Sequence, residues 1–129
     1  MKRVCLSIAV AVWLLVSLPA FSHHSFAAEF DRDRPITITG TVTRIEWTNP
    51  HARFYVDADD ENGETVNWNF ELGTPNILMR QGWTRDSLKP GETITVTGFR
   101  ARNDPHVGNA NTVTLADGTR VLGGSSVGN

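Results

Sequence analysis

Four histidines are the residues of this sequence best suited to binding a metal ion. His23 and His24 are adjacent near the start of the chain, whereas His51 and His106 lie much further along it. A chain that begins at His23 offers a metal its α-amine and its imidazole, and the amine, whose ordinary pKa is about 7.7–8.0, gives up its proton to a metal near neutral pH. A planar set of nitrogen donors favours Cu(II) over Ni(II) and Zn(II). These residues therefore predict a copper site at His23, completed by His24, His51 or His106.

The first 22 residues have the three-part layout of a cleavable secretory signal. Lys2 and Arg3 give a positive start, and residues 4–18 are almost wholly apolar. That run is shorter than the roughly 20 residues needed to cross a bilayer. Ala20 and Ser22 are small residues at the positions that favour a cut after Ser22. We therefore predict a protein exported to the periplasm, with a mature chain that has no membrane span.

Two other cleavage positions have different consequences for the metal hypothesis. A cut after Ala20 leaves His23 as the third residue, which is still a copper-chelating arrangement. A cut after Ala27 removes both His23 and His24. The cut after Ser22 fits the small-residue rule best, so we predict that the mature chain starts at His23.

Composition restricts what the mature chain does. Removal of the signal leaves 107 of the 129 residues, enough for one domain. Cys5 is lost with the signal, so the mature protein has no disulfide. Ten Lys and Arg then face 14 Asp and Glu, a net charge of −4, which excludes nucleic acid as a partner because phosphate contacts need clustered cations.

Apolar residues alternate with a period of two along most of the chain, which predicts a mainly β fold. A change of phase near Thr43-Arg44 predicts a bulge in the first strand. Thr74 as N-cap and Gly82 at the C-terminal end predict a helix after the third strand. The apolar positions of the five predicted strands, and of the helix after the third, are Ile36, Ile38, Val42, Ile45 and Trp47; Ala52, Phe54, Val56 and Ala58; Val66, Trp68, Phe70 and Leu72; Ile77, Leu78 and Met79 of the helix; Ile94 and Val96; and Val113 and Leu115, with Val121 and Leu122 continuing the last strand or pairing back.

Three strands, a short helix and two more strands are typical of a five-stranded OB-like barrel, with a small β-sandwich as the alternative. We expect an N-terminal segment at residues 23–34, the barrel domain at residues 35–122 and a flexible tail at residues 123–129. In such a barrel the loop after the first strand can approach the loop before the last one, which would allow His51 and His106 to meet.

The motif Glu46-Trp47-Thr48-Asn49-Pro50-His51 places polar groups at one end of the predicted barrel, although Asn49-Pro50 is equally typical of a plain turn. Glu71 is predicted to form solvated ion pairs with Arg80 or Arg85. No nucleophile with a neighbouring base and no Gly-rich phosphate loop occurs, so we predict no catalytic residues. A copper oxidase of the histidine-brace kind is disfavoured, because 107 residues leave little flat surface for a polymeric substrate.

The sequence resembles a family of small secreted proteobacterial proteins of unknown function. Members similarly begin with paired histidines directly after the signal, which implies the cut after Ser22, and no activity is assigned to them. Ser22 stands where Ala is usual, and Ala52 stands where a larger residue is common. The segments that carry the resemblance are residues 23–31 (HHSFAAEFD), 40–42 (GTV), 46–51 (EWTNPH), 70–76 (FELGTPN), 82–91 (GWTRDSLKPG) and 109–111 (NAN).

Two functional interpretations from different classes follow. One is a periplasmic metal-binding protein, copper first, that carries, buffers or delivers the ion through His23. The other is an interaction module that holds an envelope protein or a small ligand at one end of the barrel without a metal. In that case His23 and His24 are part of a polar linker.

Overall fold

The computed structural model describes residues 26–124 and shows a mainly β protein. This confirms the predicted fold class and the helix between the third and fourth strands. The predicted signal, His23, His24 and residues 125–129 lie outside the described part of the chain. The elements within it are helices α1 (Phe26–Glu29) and α2 (Pro75–Arg80) and strands β1 (Phe30–Glu46), β2 (Arg53–Asp59), β3 (Thr65–Glu71), β4 (Thr93–Ala101), β5 (Val107–Thr114) and β6 (Arg120–Leu122).

Five of these strands form a closed ring of hydrogen-bonded pairs. β1 pairs antiparallel with β2 and with β4, β2 pairs with β3, and β4 pairs with β5. β3 and β5 close the ring in parallel through residues 69–71 and 107–109. The short strand β6 returns along the end of β5, which settles the role of Val121 and Leu122. Within residues 26–124, no helix is long and apolar enough to cross a membrane.

Strand β1 bends, and its two halves pair with different strands. Its residues 35–41 pair with β4 and its residues 41–46 pair with β2, with a register shift between Val42 and Arg44. Gly40 lies at the bend, where a Cβ would collide with the backbone oxygen of Asp57. The bulge predicted at Thr43-Arg44 is thus confirmed.

Strand β1 also begins earlier than the sequence pattern indicates. Phe30 pairs with Ala101 of β4 and is 1% exposed, although the alternating pattern starts only at Ile36. The polar stretch of residues 31–34 hides this extension, because it has no apolar face for the pattern to detect.

The ring encloses a hydrophobic core built from the inward residues of its strands. Phe54 stacks on Phe70 with ring centroids 5.4 Å apart, and Trp68 stacks on Phe70 at 5.6 Å. Each large buried apolar side chain contributes roughly 1.5–3 kcal/mol relative to leaving it exposed. Since side chains alternate along a strand, Arg53 on β2 and Glu71 on β3 point away from this core.

Helix α2 begins and ends where the sequence predicts. The Thr74 hydroxyl accepts from the Ile77 N–H at 3.3 Å, and Gly82 follows the helix with φ of +94°. The apolar residues Ile77, Leu78 and Met79 would pack the predicted helix against the sheet, but two of them do not. Leu78 is fully buried, whereas Ile77 and Met79 are 41% and 52% exposed, because a helix of 6 residues turns only one side to the sheet.

Candidate functional site

The structure places His51 and His106 in different surroundings. The His51 Nδ1 atom lies 3.2 Å from the backbone oxygen of Leu72, whereas the His106 ring meets the Trp68 ring edge-on at 5.6 Å. Trp68 and Leu72 are four residues apart on one extended stretch, or about 13 Å. The two histidines, which an OB-like barrel would allow to meet, therefore lie apart. Because β5 runs parallel to β3, the loop before β5 arrives beside Asn69, upstream of Leu72.

A line of polar residues crosses the outside of the ring at the level of His51. Successive pairings join Phe99 of β4 to Asn109 of β5, Asn109 to Glu71 of β3, Glu71 to Arg53 of β2, and Arg53 to Glu46 of β1. Paired residues point to the same face of a sheet. We name Asn109, Glu71, Arg53 and Glu46 the polar row.

Glu71 is the most heavily engaged member of the polar row. Its carboxylate receives the Arg53 Nη2 donor at 2.5 Å, and the same guanidinium donates through Nη1 to Asn69 Oδ1 at 3.2 Å. The side chain is only 9% exposed. Burial raises the pKa of Glu71, the nearby charge of Glu29 raises it further, and the charges of His51 and Arg53 oppose these two effects.

The contacts of the His51 ring involve its Nδ1 atom. The Leu72 backbone oxygen only accepts hydrogen bonds, so in the neutral ring we assign the proton to Nδ1, which leaves the lone pair on Nε2. The Glu71 carboxylate stands 3.8 Å from the same Nδ1 atom, and the His51 side chain is 43% exposed. A carbonyl or carboxylate that fixes one ring nitrogen is the usual arrangement behind a metal-binding histidine.

Asn109 has an unused acceptor. Its side chain is 2% exposed, and Oδ1 has no hydrogen-bond partner within the part of the chain that the structure describes. An unsatisfied buried acceptor costs about 1–3 kcal/mol. A donor group that reached Asn109 would therefore be stabilised there.

The N-terminal segment is held beside Asn109. The Phe26 ring lies 6.1 Å from the Phe99 ring and 5.2 Å from the Phe30 ring. Phe99 is the register partner of Asn109. Because Phe26 packs against Phe99, α1 lies next to the polar row.

Arg102 fixes this segment to the end of β4. Its Nε donates to the Ala27 backbone oxygen at 2.8 Å, and its Nη1 lies 3.4 Å from the Asp31 carboxylate. The Arg102 backbone N–H donates to the Glu29 backbone oxygen at 2.9 Å. These contacts hold both ends of α1.

His106 belongs to a second polar region. It lines an open cleft of about 510 Å³ together with Trp68, Arg100, residues 37–38 and the turn at residues 59–62. The Arg100 guanidinium lies 5.2 Å from the centre of the Trp68 ring. The cleft is lined by Val66 and Trp68 of β3, whereas the polar row includes Glu71 at the end of that strand.

The sequence predicted His51 as a site residue but assigned Glu71 the wrong partners. Glu71 pairs with Arg53 and His51 rather than with Arg80 or Arg85. In the hairpin Asp59 pairs with Thr65 and Arg53 with Glu71, because the turn comprises the three residues 61–63. A two-residue turn at Asn62-Gly63 would instead have paired Arg53 with Leu72, so the turn signal alone does not identify the partner of Glu71. Among residues 26–124, no group of three or more His, Cys, Asp or Glu side chains is arranged to hold a metal ion.

A search of curated proteins found no match. A family model described as a family of unknown function, DUF6152, matches residues 11–111. The match covers most of the chain and confirms the predicted resemblance to an uncharacterised family. The protein is a member of the DUF6152 family of unknown function.

Proposed function

We propose that this protein is an exported, periplasmic binding protein that begins at His23 and holds one Cu(II) ion with His23, His24 and His51. The observation that carries the proposal is the position of α1, which lies beside the polar row where His51 has a free Nε2. A carrier, a buffer or a delivery protein for copper would each use such a site. No catalytic residue is part of the proposal.

We also propose that the ring of strands is an OB-like barrel. The closed order β1, β2, β3, β5 and β4, with a short helix between β3 and β4, supports this fold over a β-sandwich. OB-like folds bind ligands on their strands and in the loops at their ends. His51, which lies in the loop between β1 and β2, has that position.

Chain length allows the N-terminal histidines to reach His51. Phe26 comes three positions after His23, a span of at most about 11 Å. Neighbouring strands are about 4.8 Å apart, so Glu71 lies roughly 10 Å from Phe99, against which Phe26 packs. The His51 Nδ1 atom lies 3.8 Å from the Glu71 carboxylate, so His51 stands at the far end of this span. His106 lies in the loop before β5, beside Asn69.

The donor set fits Cu(II). His23 supplies an amine and an imidazole, His24 a second imidazole, and His51 its Nε2, and a set of nitrogen donors suits Cu(II) best. Glu71 would not bind the ion but would hold the His51 ring and offset the positive charge. The unused Oδ1 of Asn109 would accept a hydrogen bond from the bound segment.

The test combines intact mass with copper titration of the protein purified from the periplasm. We expect a mass that starts at His23 and one tight Cu(II) per chain, measured against a competing chelator. His51→Ala should weaken binding by at least about tenfold, and Glu71→Gln by up to about tenfold. His106→Ala is the matched control and should leave the affinity unchanged.

Three outcomes contradict the proposal. A mass that starts at Ala28 would mean that the mature chain lacks His23 and His24, which supply most of the proposed donors. An affinity equal to that of a free peptide with the same four N-terminal residues shows that the folded domain contributes nothing. Equal effects of His51→Ala and His106→Ala on copper affinity would show that copper binding does not depend on the polar row.

A further inference from the structure

The cleft around His106 has the size and chemistry of a small-ligand site that is separate from the proposed copper site. Its volume of about 510 Å³ falls in the usual range of small-molecule sites, roughly 300–1,000 Å³. Three apolar side chains, Ile38, Val66 and Trp68, contribute to its lining. Residues from β1, β3, β4, the turn between β2 and β3, and the loop before β5 all contribute, so the ring itself shapes the cleft.

A guanidinium and an imidazole line one part of the cleft. The Arg100 guanidinium and the His106 ring both lie within 6 Å of the Trp68 ring, at 5.2 and 5.6 Å. The His106 backbone is fixed, because its N–H donates to Asp104 Oδ1 at 2.9 Å and its oxygen accepts from Asn69. The four ion pairs found within residues 26–124 do not include Arg100. An unpaired guanidinium beside an aromatic ring is well suited to binding a carboxylate.

Negative groups come from the turn between β2 and β3. Asp60 Oδ1 accepts from the backbone N–H of Asn62 at 2.8 Å, and Asp59 Oδ1 accepts from the Thr65 hydroxyl at 2.9 Å. These bonds fix each carboxylate through one oxygen, and the other oxygen takes no part in them. Both aspartates line the same cleft as Arg100 yet form no ion pair with it, so the opposite charges are held apart.

We propose that this cleft binds a small zwitterion, an amino acid or a short peptide. Its carboxylate would pair with Arg100 next to His106, its ammonium group with Asp59 and Asp60, and an apolar side chain with Ile38. An anion without an ammonium group would be repelled by the aspartates, and a cation without a carboxylate would leave Arg100 unpaired. Only a ligand with both charges satisfies both sides of the cleft.

The test is an NMR titration of the full mature protein with the dipeptide glycyl-leucine. Its N-acetylated form, which lacks the ammonium group, and its C-terminal amide, which lacks the carboxylate, serve as matched ligands. We expect shifts at Trp68 and His106 and binding of glycyl-leucine at least about tenfold tighter than either derivative, a difference of about 1.4 kcal/mol.

Variants assign each end of the ligand. Arg100→Gln should weaken glycyl-leucine about tenfold and abolish its advantage over the amide, while Arg100→Lys should restore part of it. Asp59→Asn keeps the acceptor for Thr65 and should abolish the advantage over the N-acetylated form. Arg44→Gln is the control, because Arg44 stacks on Tyr55 at 4.0 Å, outside the cleft, and should change nothing.

The proposal is overturned if glycyl-leucine causes no shifts up to about 10 mM, if all three ligands bind equally, or if Arg100→Gln and Arg44→Gln behave alike. None of these outcomes would contradict the proposed copper site, since His51 lies on another part of the ring. Loss of copper binding in His51→Ala would likewise leave the dipeptide affinity unchanged.

Discussion

His51 and His106 are the same residue type on the same ring of strands, yet their neighbours prepare them for different chemistry. His51 contacts the polar row, where Glu71 and Asn109 are buried and lie on paired strands. His106 lines an open cleft whose charged groups come largely from loops and strand ends. The role of each histidine therefore follows from its surroundings. Groups fixed by strand pairing suit one ion at a defined position, while groups in an open cleft suit a ligand that brings its own charges.

Burial makes the two regions respond differently to mutation. A charge in the polar row is costly unless its partners remain, because the buried carboxylate of Glu71 depends on Arg53. The charges of the cleft are solvated, and changing one of them alters ligand binding far more than folding.

The largest expected effect is on the anchor of the N-terminal segment. Phe30→Ala should lower the free energy of unfolding by about 3–5 kcal/mol, because the Phe30 side chain is almost fully buried. Phe26→Ala removes the same side chain from a half-buried position and should cost less than half as much. Urea denaturation measures both, and Phe30→Leu replaces Phe30→Ala if the latter does not fold. Equal losses in the two alanine variants would contradict the anchoring role of Phe30.

The next effect is a dependence of stability on pH that is specific to the polar row. Because the folded protein raises the pKa of Glu71 above 4.5, its contribution to stability is fully present below that pH and is lost as the pH rises through the folded pKa. The unfolding free energy of the wild type, relative to Glu71→Gln, should therefore fall as the pH is raised from 4.5.

Asp117 provides a control of opposite sign. The backbone N–H of Thr119 lowers the pKa of this exposed carboxylate below 3.8, so its contribution is present at higher pH and is lost on acidification. Relative to Asp117→Asn, the wild type should lose stability as the pH falls below 3.8. Denaturation curves across pH that show the same sign for both residues would be incompatible with a buried Glu71.

The smallest expected effect concerns the tether of α1. Arg102→Gln removes the ion pair with Asp31 and should cost less than about 1 kcal/mol, because the Arg102 side chain is 45% exposed. Amide hydrogen exchange in α1 should nevertheless speed up, while exchange at residues 105–107 beside the cleft stays the same. Arg44→Gln, which breaks a similar exposed pair with Glu46, should leave α1 unaffected. Unchanged exchange in α1 would mean that Phe30 alone holds the segment.

The sequence was sufficient for the local features of the fold, but it did not show which strand pairing closes the ring. Alternation identified the inward residues Phe54, Val56 and Phe70, and a phase change located the bulge near Thr43, because both signals depend on neighbours along the chain. The burial of Asn109 could not be predicted in this way. It depends on the pairing of β5 with β3, which no pattern within either strand encodes.

In the candidate site, too, the features that depend on local sequence could be predicted and those that depend on long-range pairing could not. His51 was predicted because its residue type and the turn before it are visible in the sequence. Its link to Glu71 required the register of the hairpin, and its distance from His106 required the closed ring. Long-range pairings therefore account for most of what sequence reasoning missed.

The parallel pairing of β3 with β5 also has a consequence for the order of folding. It joins residues 69–71 to residues 107–109, distant in sequence, through only three residue pairs. Closing so long a loop costs conformational entropy, and three residue pairs offset little of that cost. We therefore expect the hairpins β2–β3 and β4–β5 to form first and this junction to form last. Glu71 and Asn109 both lie in that junction. A newly folded chain would thus acquire its polar row only as the ring closes, and binding there would draw the final folding step toward completion.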